Sequence, residues 1–413
     1  MVNYKKTKYS CYFAYLSMAS IFSLPPLLFN TFHEMYGVSY TLLGTLVAVN
    51  FCTQLGIDLV FTFFTKYFNI KKTVTVMPLI TSVGMLIYAL VPWLCPDYAY
   101  LGLIIGTVIF SVSAGLSEVL LSPVVAAIPS ETPDRDMSLL HSLYAYGVMM
   151  VVILSTVFLK IFGTQYWMYL TLFWALLPII AFIMFATSPM PVVNVSDPGN
   201  GKNAGKKTVI MTLCVLCIFF GSAAENSMTN WISSYIESAL HLPKIVGDIV
   251  GMALFAICLG LTRTWYGKRG KSIYRVLLFG MTGAVVCYLI AGLSPVPVLS
   301  LIACVLTGIC TSMLWPGSLI LMEEKLPHVG VAAYALMAAG GDFGASVAPQ
   351  MLGVVVDKVA ASEFAVSVCA DMALTPEQLG MKAAMLVAAL FPVIGVVVLL
   401  IIKKVFGIQL KKN

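Results

Sequence analysis

The chain has 413 residues, 60% of them hydrophobic and only 10% charged, a balance far from that of a soluble globular domain. Each bilayer-crossing helix takes roughly 20 apolar residues, so a dozen crossings would occupy most of the chain and exclude a large soluble catalytic domain. The formal charge of +6 does not point to a nucleic-acid partner, because membrane proteins concentrate Lys and Arg on the cytoplasmic side.

In chain order, apolar runs bounded by turn or charge signals fall at about 12–33, 40–64, 73–94, 99–128, 138–162, 166–188, 208–236, 245–266, 274–293, 297–322, 330–357 and 380–403. All twelve are expected to be helices, since lipid offers no partner to an unpaired backbone amide and the alternation of a β-barrel strand is missing. Lys5, Lys6 and Lys8 precede the first run as a signal peptide's basic region would. That run exceeds the usual ~7 to 15 apolar residues of a signal peptide and lacks a small-residue cleavage site, so it reads as a retained first helix.

With the N-terminus in the cytoplasm, one side of the membrane carries all 24 Lys and Arg residues except Lys160, Lys244, Lys358 and Lys382. Arg263 is grouped here with the eighth-to-ninth loop, and Lys8 with the N-terminal tail. One miscounted span would scramble every later loop, so the bias supports a multi-pass protein of the cytoplasmic membrane with both termini inside. The Pro/Gly/Asn/Lys-rich stretch near the middle reads as a flexible linker, dividing an N-terminal half (1–190) and a C-terminal half (208–413) by a cytoplasmic linker (191–207). Asn194, Val195 and Ser196 in that linker fit the glycosylation pattern, but on the cytoplasmic side the match is read as chance. Most of the ten cysteines lie in apolar runs and act as small hydrophobes. Cys214 and Cys217 have no second ligand pair, so no metal site is expected. Cys95 and Cys369 fall on the same outer side, where a disulfide is open to them.

An internal repeat orders the spans. Gly115, Pro123 and Gly147 recur as Gly308, Pro316 and Gly340, each offset by 193 residues. Matching fourth and fifth spans with tenth and eleventh spans implies two six-helix halves related by an axis along the membrane normal. The expected fold is therefore an all-α membrane protein of twelve transmembrane helices in two pseudo-symmetric halves.

Of 18 acidic residues, only Asp58, Glu118, Glu225 and Asp342 fall well within spans. A carboxylate at a helix centre costs about 2.5 to 3.5 kcal/mol on insertion scales, so each needs a cavity, a partner or a proton. Ser111, Gly115, Glu118 and Ser122 form one narrow stripe of the fourth helix, expected to face a central cavity; the bland alternative is close helix packing with Glu118 bonded across the interface. Ser222, Glu225, Asn226, Thr229 and Ser233 make a polar face on the seventh helix, suited to a solute's hydroxyls or to an interhelical network. Asp342 shares a face with Ser346 and Pro349 and reads as a cavity or gating carboxylate. Asp58, nearer the cytoplasmic end of its helix, reads as a structural or gating group within reach of water or a loop Lys. His141 begins the fifth helix at the cytoplasmic edge, where an imidazole can titrate. Trp315, before Pro316, either stacks on a sugar face or fills the core; Trp231 is as readily an interfacial anchor as a stacking platform.

Four groups of residues resemble the major facilitator superfamily, and within it the fucose-permease-like sugar transporters. They are Gly115 to Glu118 with Ser122 and Pro123, His141 to Gly147 including Tyr144, Glu225 and Asn226 with Trp231, and Trp315 to Gly317. The resemblance covers essentially the whole chain. It implies that Glu118 occupies the place of a functional Glu in those symporters and that His141 matches a substrate-contacting position. Two departures stand out: the loop from Thr65 to Lys72 keeps its basic residues without the family's acid, as does the region around Gly260 and Arg263, and the first helix from Leu16 to Phe32 has no acidic residue where the proton–sugar symporters carry one.

The sequence therefore leads to a secondary active transporter moving a small polar solute, a monosaccharide as the expected class, by alternating access. Protonation of Glu118 or Glu225 is the candidate coupling step. The substrate or proton cavity is assigned to Glu118, Ser122, His141, Tyr144, Glu225, Asn226, Thr229, Trp315 and Asp342. The expected partners are a small-molecule substrate, a proton and the lipid bilayer, with the monomer as the functional unit. Export of amphipathic compounds and a non-transporting receptor stay as alternatives. No enzyme, cofactor or metal is expected, since neither a His-Glu-x-x-His nor a Gly-x-Ser-x-Gly pattern occurs and the four His are not paired at ligand spacing.

Overall fold

The computed structural model describes residues 3–38, 40–193, 204–326, 329–363, 367, 369 and 374–407. The sequon at Asn194, the linker around Gly201 with Lys202, and the terminal Lys411 and Lys412 lie outside the described residues. The twelve expected spans are α1 (Lys5–Leu27), α2 (Tyr40–Phe64), α3 (Ile70–Leu94), α4 (Ala99–Ala126), α5 (Pro133–Phe162) and α6 (Thr164–Ala186), then α7 (Ala204–Ser234), α8 (Gly247–Arg269), α9 (Ile273–Leu293), α10 (Pro297–Lys325), α11 (Val331–Ala360) and α12 (Pro376–Phe406). No strand occurs among the described residues.

Among the described residues, eleven helices are long and apolar enough to cross a membrane. The helix outside that set is α1, whose Ser10, Ser17, Ser20, Ser23, Pro25 and Pro26 dilute its hydropathy. Its serines are nevertheless buried; Ser20, for example, bonds the Ser17 carbonyl at 2.8 Å, which removes most of the cost of a hydroxyl away from water. Two boundaries differ from the sequence reading. Helix α1 begins at Lys5, so Lys8 sits on a helix and pairs with Asp136 at 2.9 Å instead of lying in a free tail. Helix α7 starts at Ala204, inside the stretch read as linker.

The chain forms two compact units. The first comprises residues 1–198, 263–268 and 329–342. Its core gathers Phe32, Tyr88, Phe110, Trp167 and Trp174, with Trp167 edge-on to Phe32 at 4.8 Å and the Trp174 indole donating to Ser155 Oγ at 3.0 Å. Aromatic rings of this size fill a core only where the backbones leave room, and glycines set that spacing. A methyl on Gly106 would lie 2.7 Å from Tyr88 Cβ, and one on Gly147 would meet the Leu16 carbonyl oxygen at 2.5 Å. These positions bring α4 against α3 and α5 against α1.

The second unit comprises residues 199–262, 269–328 and 343–413. Tyrosine hydroxyls tie its helices to one another: Tyr288 donates to the Ala224 carbonyl at 2.6 Å, Tyr235 to Ala291 at 2.5 Å and Tyr274 to Leu399 at 3.0 Å. Wide π-helical turns flank the loop between α7 and α8, at Tyr235–Ala239 and Gly247–Ala253, and Ser233 bonds Asp248 across them at 2.7 Å. Helix α10 breaks after Thr311 and restarts at Leu314 just before Pro316, as expected where proline cannot donate into the helix ladder.

The repeat glycines have matching surroundings in the two units. Gly115 of α4 lies against Gln54 and Ile57 of α2, where a methyl would be 3.0 Å from Ile57 Cβ, and Gly308 of α10 lies against Phe255 of α8, where it would be 2.6 Å from the carbonyl oxygen. Each glycine thus marks a close crossing of the fourth on the second span of its half.

Candidate functional site

In the first unit, α4 and α2 meet along a polar seam. Asn50, Gln54 and Asp58 follow one another at helical spacing on α2 and are all buried. Asn50 Oδ1 accepts from Ser111 Oγ at 2.7 Å and from Gln54 Nε2 at 2.9 Å. The stripe read on α4 is therefore turned toward α2 at Ser111 and Gly115, which is the close-packing alternative and not a cavity wall.

Glu118 and Ser122 continue this stripe toward α1 and α5. Ser122 Oγ lies 3.4 Å from His141 Nε2, with Tyr15 of α1 as a neighbour. The Tyr15 and His141 rings pack edge to face at 5.1 Å. His141 is 4% exposed, so it is not at a solvated edge: α5 begins at Pro133, two turns earlier than His141. Beside it, Arg263 Nη1 donates to the His141 carbonyl at 3.0 Å, Ser138 Oγ donates to the Arg263 carbonyl, and Tyr146 and Thr264 share a hydroxyl bond of 2.8 Å. Arg263 is 2% exposed within α8, which corrects its assignment to a loop. Tyr144, one turn beyond His141, is half-buried and packs edge-on to Phe22 at 5.7 Å.

Asp58 and Asp342 also differ from the sequence reading. Asp58 is fully enclosed, not solvated, and both its oxygens lack a donor among the described residues, so no loop Lys neutralises it. Asp342 is equally enclosed, with Glu118 and Asp58 as its electrostatic neighbours.

The polar face of α7 lies in the second unit. Glu225, Asn226, Thr229 and Asn230 are half-buried. Asn226 Nδ2 donates to Ser222 at 3.1 Å (carbonyl) and 3.2 Å (hydroxyl), Thr229 Oγ1 to the Glu225 carbonyl at 2.9 Å, and Asn230 Nδ2 to the Asn226 carbonyl at 2.9 Å. Donors bonded back onto their own helix leave acceptor oxygens on the face. Ser233 is turned away to Asp248, and Trp231 donates to the Pro349 carbonyl at 3.1 Å, which fixes it to α11. Trp315 is half-buried in the first turn of the restarted α10.

The structure thus brings Glu118, Ser122, His141 and Asp342 together in one unit and Glu225, Asn226 and Thr229 together in the other. Sequence reasoning passed over Tyr15, Arg263 and Asn230, and also Asn50 and Gln54, although their four-residue spacing ahead of Asp58 was a readable signal. Chemically these groups are hydrogen-bonding, and some of them are ionisable. None of the groups of His, Cys, Asp or Glu among the described residues is arranged to hold a metal ion.

A model of the Major Facilitator Superfamily matches residues 11–349. The chain belongs to the Major Facilitator Superfamily. That membership makes it a multi-pass membrane transporter by family. Comparison with curated proteins finds no sequence match. Among solved structures, this superfamily chain is similar to the E. coli fucose:proton symporter FucP, at 13% identity and a TM-score of 0.64 over 95% of this chain and 99% of that one. It is similar to the proton:xylose symporter XylE at 12% identity and a TM-score of 0.71, covering 94% of each chain. It is also similar to the human organic anion transporter TETRAN at 11% identity and a TM-score of 0.67, over 97% of this chain and 100% of that one. At these identities the likeness is one of fold.

Proposed function

We propose that the protein is a proton-coupled carrier of a small polar solute, a monosaccharide as the substrate class, working by alternating access in the cytoplasmic membrane. The observation that carries this reading is the half-buried face of Glu225, Asn226, Thr229 and Asn230 on α7, a row of oxygen acceptors able to take sugar hydroxyls in the middle of an apolar span. Glu118, beside Ser122 and Tyr15, is the coupling carboxyl. The fold it shares with two proton:sugar symporters supports the reading. Residues 1–190 and 208–413, joined by 191–207, supply the two repeat-related bodies that alternating access requires. Both termini are cytoplasmic in this scheme, and one chain suffices.

A second reading, carriage of an organic anion, is favoured by the buried guanidinium of Arg263 beside His141, since Arg is suited to carboxylate recognition. A thermal-shift screen of the purified protein against sugars, polyols and organic acids separates the two, because a ligand that binds only the folded state raises its apparent stability. Stabilisation by sugars is expected. Stabilisation by organic acids alone, lost in R263Q, would favour the second reading.

A further inference from the structure

The end of α7 carries a contact that the function proposed above does not use. Beyond the π-helical turn at Tyr235–Ala239 the helix ends at His241, whose φ of 52° is the left-handed conformation that usually calls for glycine. The Leu240 amide donates to the Tyr235 carbonyl at 3.3 Å and the Leu242 amide to the Ile236 carbonyl at 3.2 Å, so the chain closes around this residue. Gln378, in the first turn of α12 and 5% exposed, holds the turn from its other side. Its Nε2 donates to the Ala239 carbonyl at 3.3 Å and lies 2.7 Å from His241 Nε2. All of these groups belong to the second unit.

The direction of that last bond is fixed by the other partners of the amide. Gln378 closes a capping box: its Oε1 accepts from the Thr375 amide at 2.7 Å, and its own backbone amide donates to Thr375 Oγ1 at 3.2 Å. Turning the side chain over would set nitrogen against the Thr375 N–H and oxygen against the Ala239 carbonyl. The amide NH₂ therefore points at His241, and His241 Nε2 is the acceptor, a role open only to a neutral imidazole with its proton on Nδ1. An imidazolium carries N–H on both nitrogens, so an added proton sets donor against donor at 2.7 Å. Unlike the enclosed amide, His241 is exposed, and a proton reaches it from solvent.

His241 makes no ion pair among the described residues. Glu237 on the turn, Glu377 on α12, and Asp357, Lys358 and Glu363 at the end of α11 are exposed. Asp248 of α8 accepts from Ser233, and Lys382 of α12 donates to the Ser294 carbonyl. Lys244 follows three positions later in the chain; α9 beyond Arg275 and α10 over residues 297–311 bring only Tyr288 and thiols as titratable groups. Asp371 lies outside the described residues.

We propose that His241 and Gln378 form a proton-sensitive tie between the α7–α8 turn and α12, closed while the imidazole is neutral and opened by one proton. On the topology proposed above this turn faces outside, so the tie responds to external acid. Opening takes from the left-handed turn the contact that holds its side chain, and frees the end of α7. The tie needs no solute; its effect on uptake, through the acceptor face that α7 carries from Glu225 to Asn230, rests on the function proposed above.

The test uses the full-length protein in detergent with no solute added. Hydrogen exchange of residues 239–247 is followed at about pH 8 and about pH 5, the span over which an imidazole changes charge. Wild type is compared with H241N at each pH, so that the intrinsic effect of pH on exchange cancels; Asn tolerates the left-handed turn and does not titrate. Exchange in the wild type relative to H241N is expected to rise by about two- to tenfold on acidification, the factor one ordinary hydrogen bond is worth. Q378E should reverse the sign, since a carboxylate still closes the capping box but binds the imidazolium. Nitrogen NMR of histidine-labelled wild type, with the His241 signal assigned by its loss in H241N, gives a measurement that needs no stable variant series: at pH 8 the ring should carry its proton on Nδ1. An unchanged exchange ratio, a Q378E response of the same sign as the wild type, or a proton on Nε2 at pH 8 would overturn the proposal. So would a response that disappears in E237Q or E377Q. A protein that passes these measurements yet carries no sugar would refute the transport reading and leave the tie standing.

Discussion

The guanidinium of Arg263 on α8 donates to the backbone carbonyl of His141 on α5 at 3.0 Å. A buried cation thereby helps to hold the turn that presents the imidazole to Ser122. Its loss should be felt as one charge-assisted hydrogen bond between α8 and α5, since His141 lies in the interior of α5 and its carbonyl keeps its place in the helix ladder.

R263A is expected to lower stability by roughly 1.5 to 3 kcal/mol, the usual worth of a hydrogen bond to a charged group. R263K should recover only part of this, since an ammonium cannot reproduce the planar fork of donors. Thermal melts of the purified variants check both values. Wild-type melting in R263A would mean that the guanidinium does not hold α5.

Replacing Glu118 with Gln keeps the shape and removes titration. A proton-coupled carrier should then lose gradient-driven accumulation in proteoliposomes while still exchanging labelled sugar across equal concentrations, because exchange needs only the loaded carrier to reorient. If both activities fall together, Glu118 is a substrate ligand. If neither changes, Glu225 becomes the better coupling candidate.

The two tryptophans of the sequence motifs should behave differently. W231F removes the bond to the Pro349 carbonyl and should cost about 1 kcal/mol of stability with ligand-induced thermal shifts intact. W315A should diminish those shifts if Trp315 contacts the solute. Equal ligand responses in the two variants would remove Trp315 from the site.

The close crossings predict a ranking. In G308A the new methyl would lie 2.6 Å from the Phe255 backbone oxygen, whereas in G115A it would be 3.0 Å from the Ile57 side chain. Overpacking against backbone should cost about 1 to 3 kcal/mol, so G308A should melt lower than G115A. The reverse order would argue against the glycine crossing in the second unit.

Topology is open to a labelling experiment with a built-in control. In a cysteine-free background, restored Cys95, which is exposed and expected outside, should react with a membrane-impermeant thiol reagent in intact cells. A cysteine introduced as G201C should react only after the cells are opened.

The sequence by itself determined the number and order of the spans. Apolar length and interrupting charge are local properties, set by bilayer thickness and the cost of an unpaired amide, and need no knowledge of neighbours. The repeat of Gly115 with Gly308 was equally legible, as was the list of in-span acids, because a carboxyl in a hydrophobic run is conspicuous wherever it points. Which neighbour each acid meets was not legible. The stripe on α4 looked the same whether it faced a cavity or α2; the Gly115 contact with Gln54 and Ile57 decided that half of it is packing. Asp58 and Asp342, 284 positions apart in the chain, became electrostatic neighbours of Glu118 only through the folding of α2, α4 and α11. Arg263 and His141 looked solvated because both fall near span ends, where sequence cannot separate a residue just inside a helix from one just outside it. Burial there depends on the helix that packs over the end, a property of tertiary structure alone.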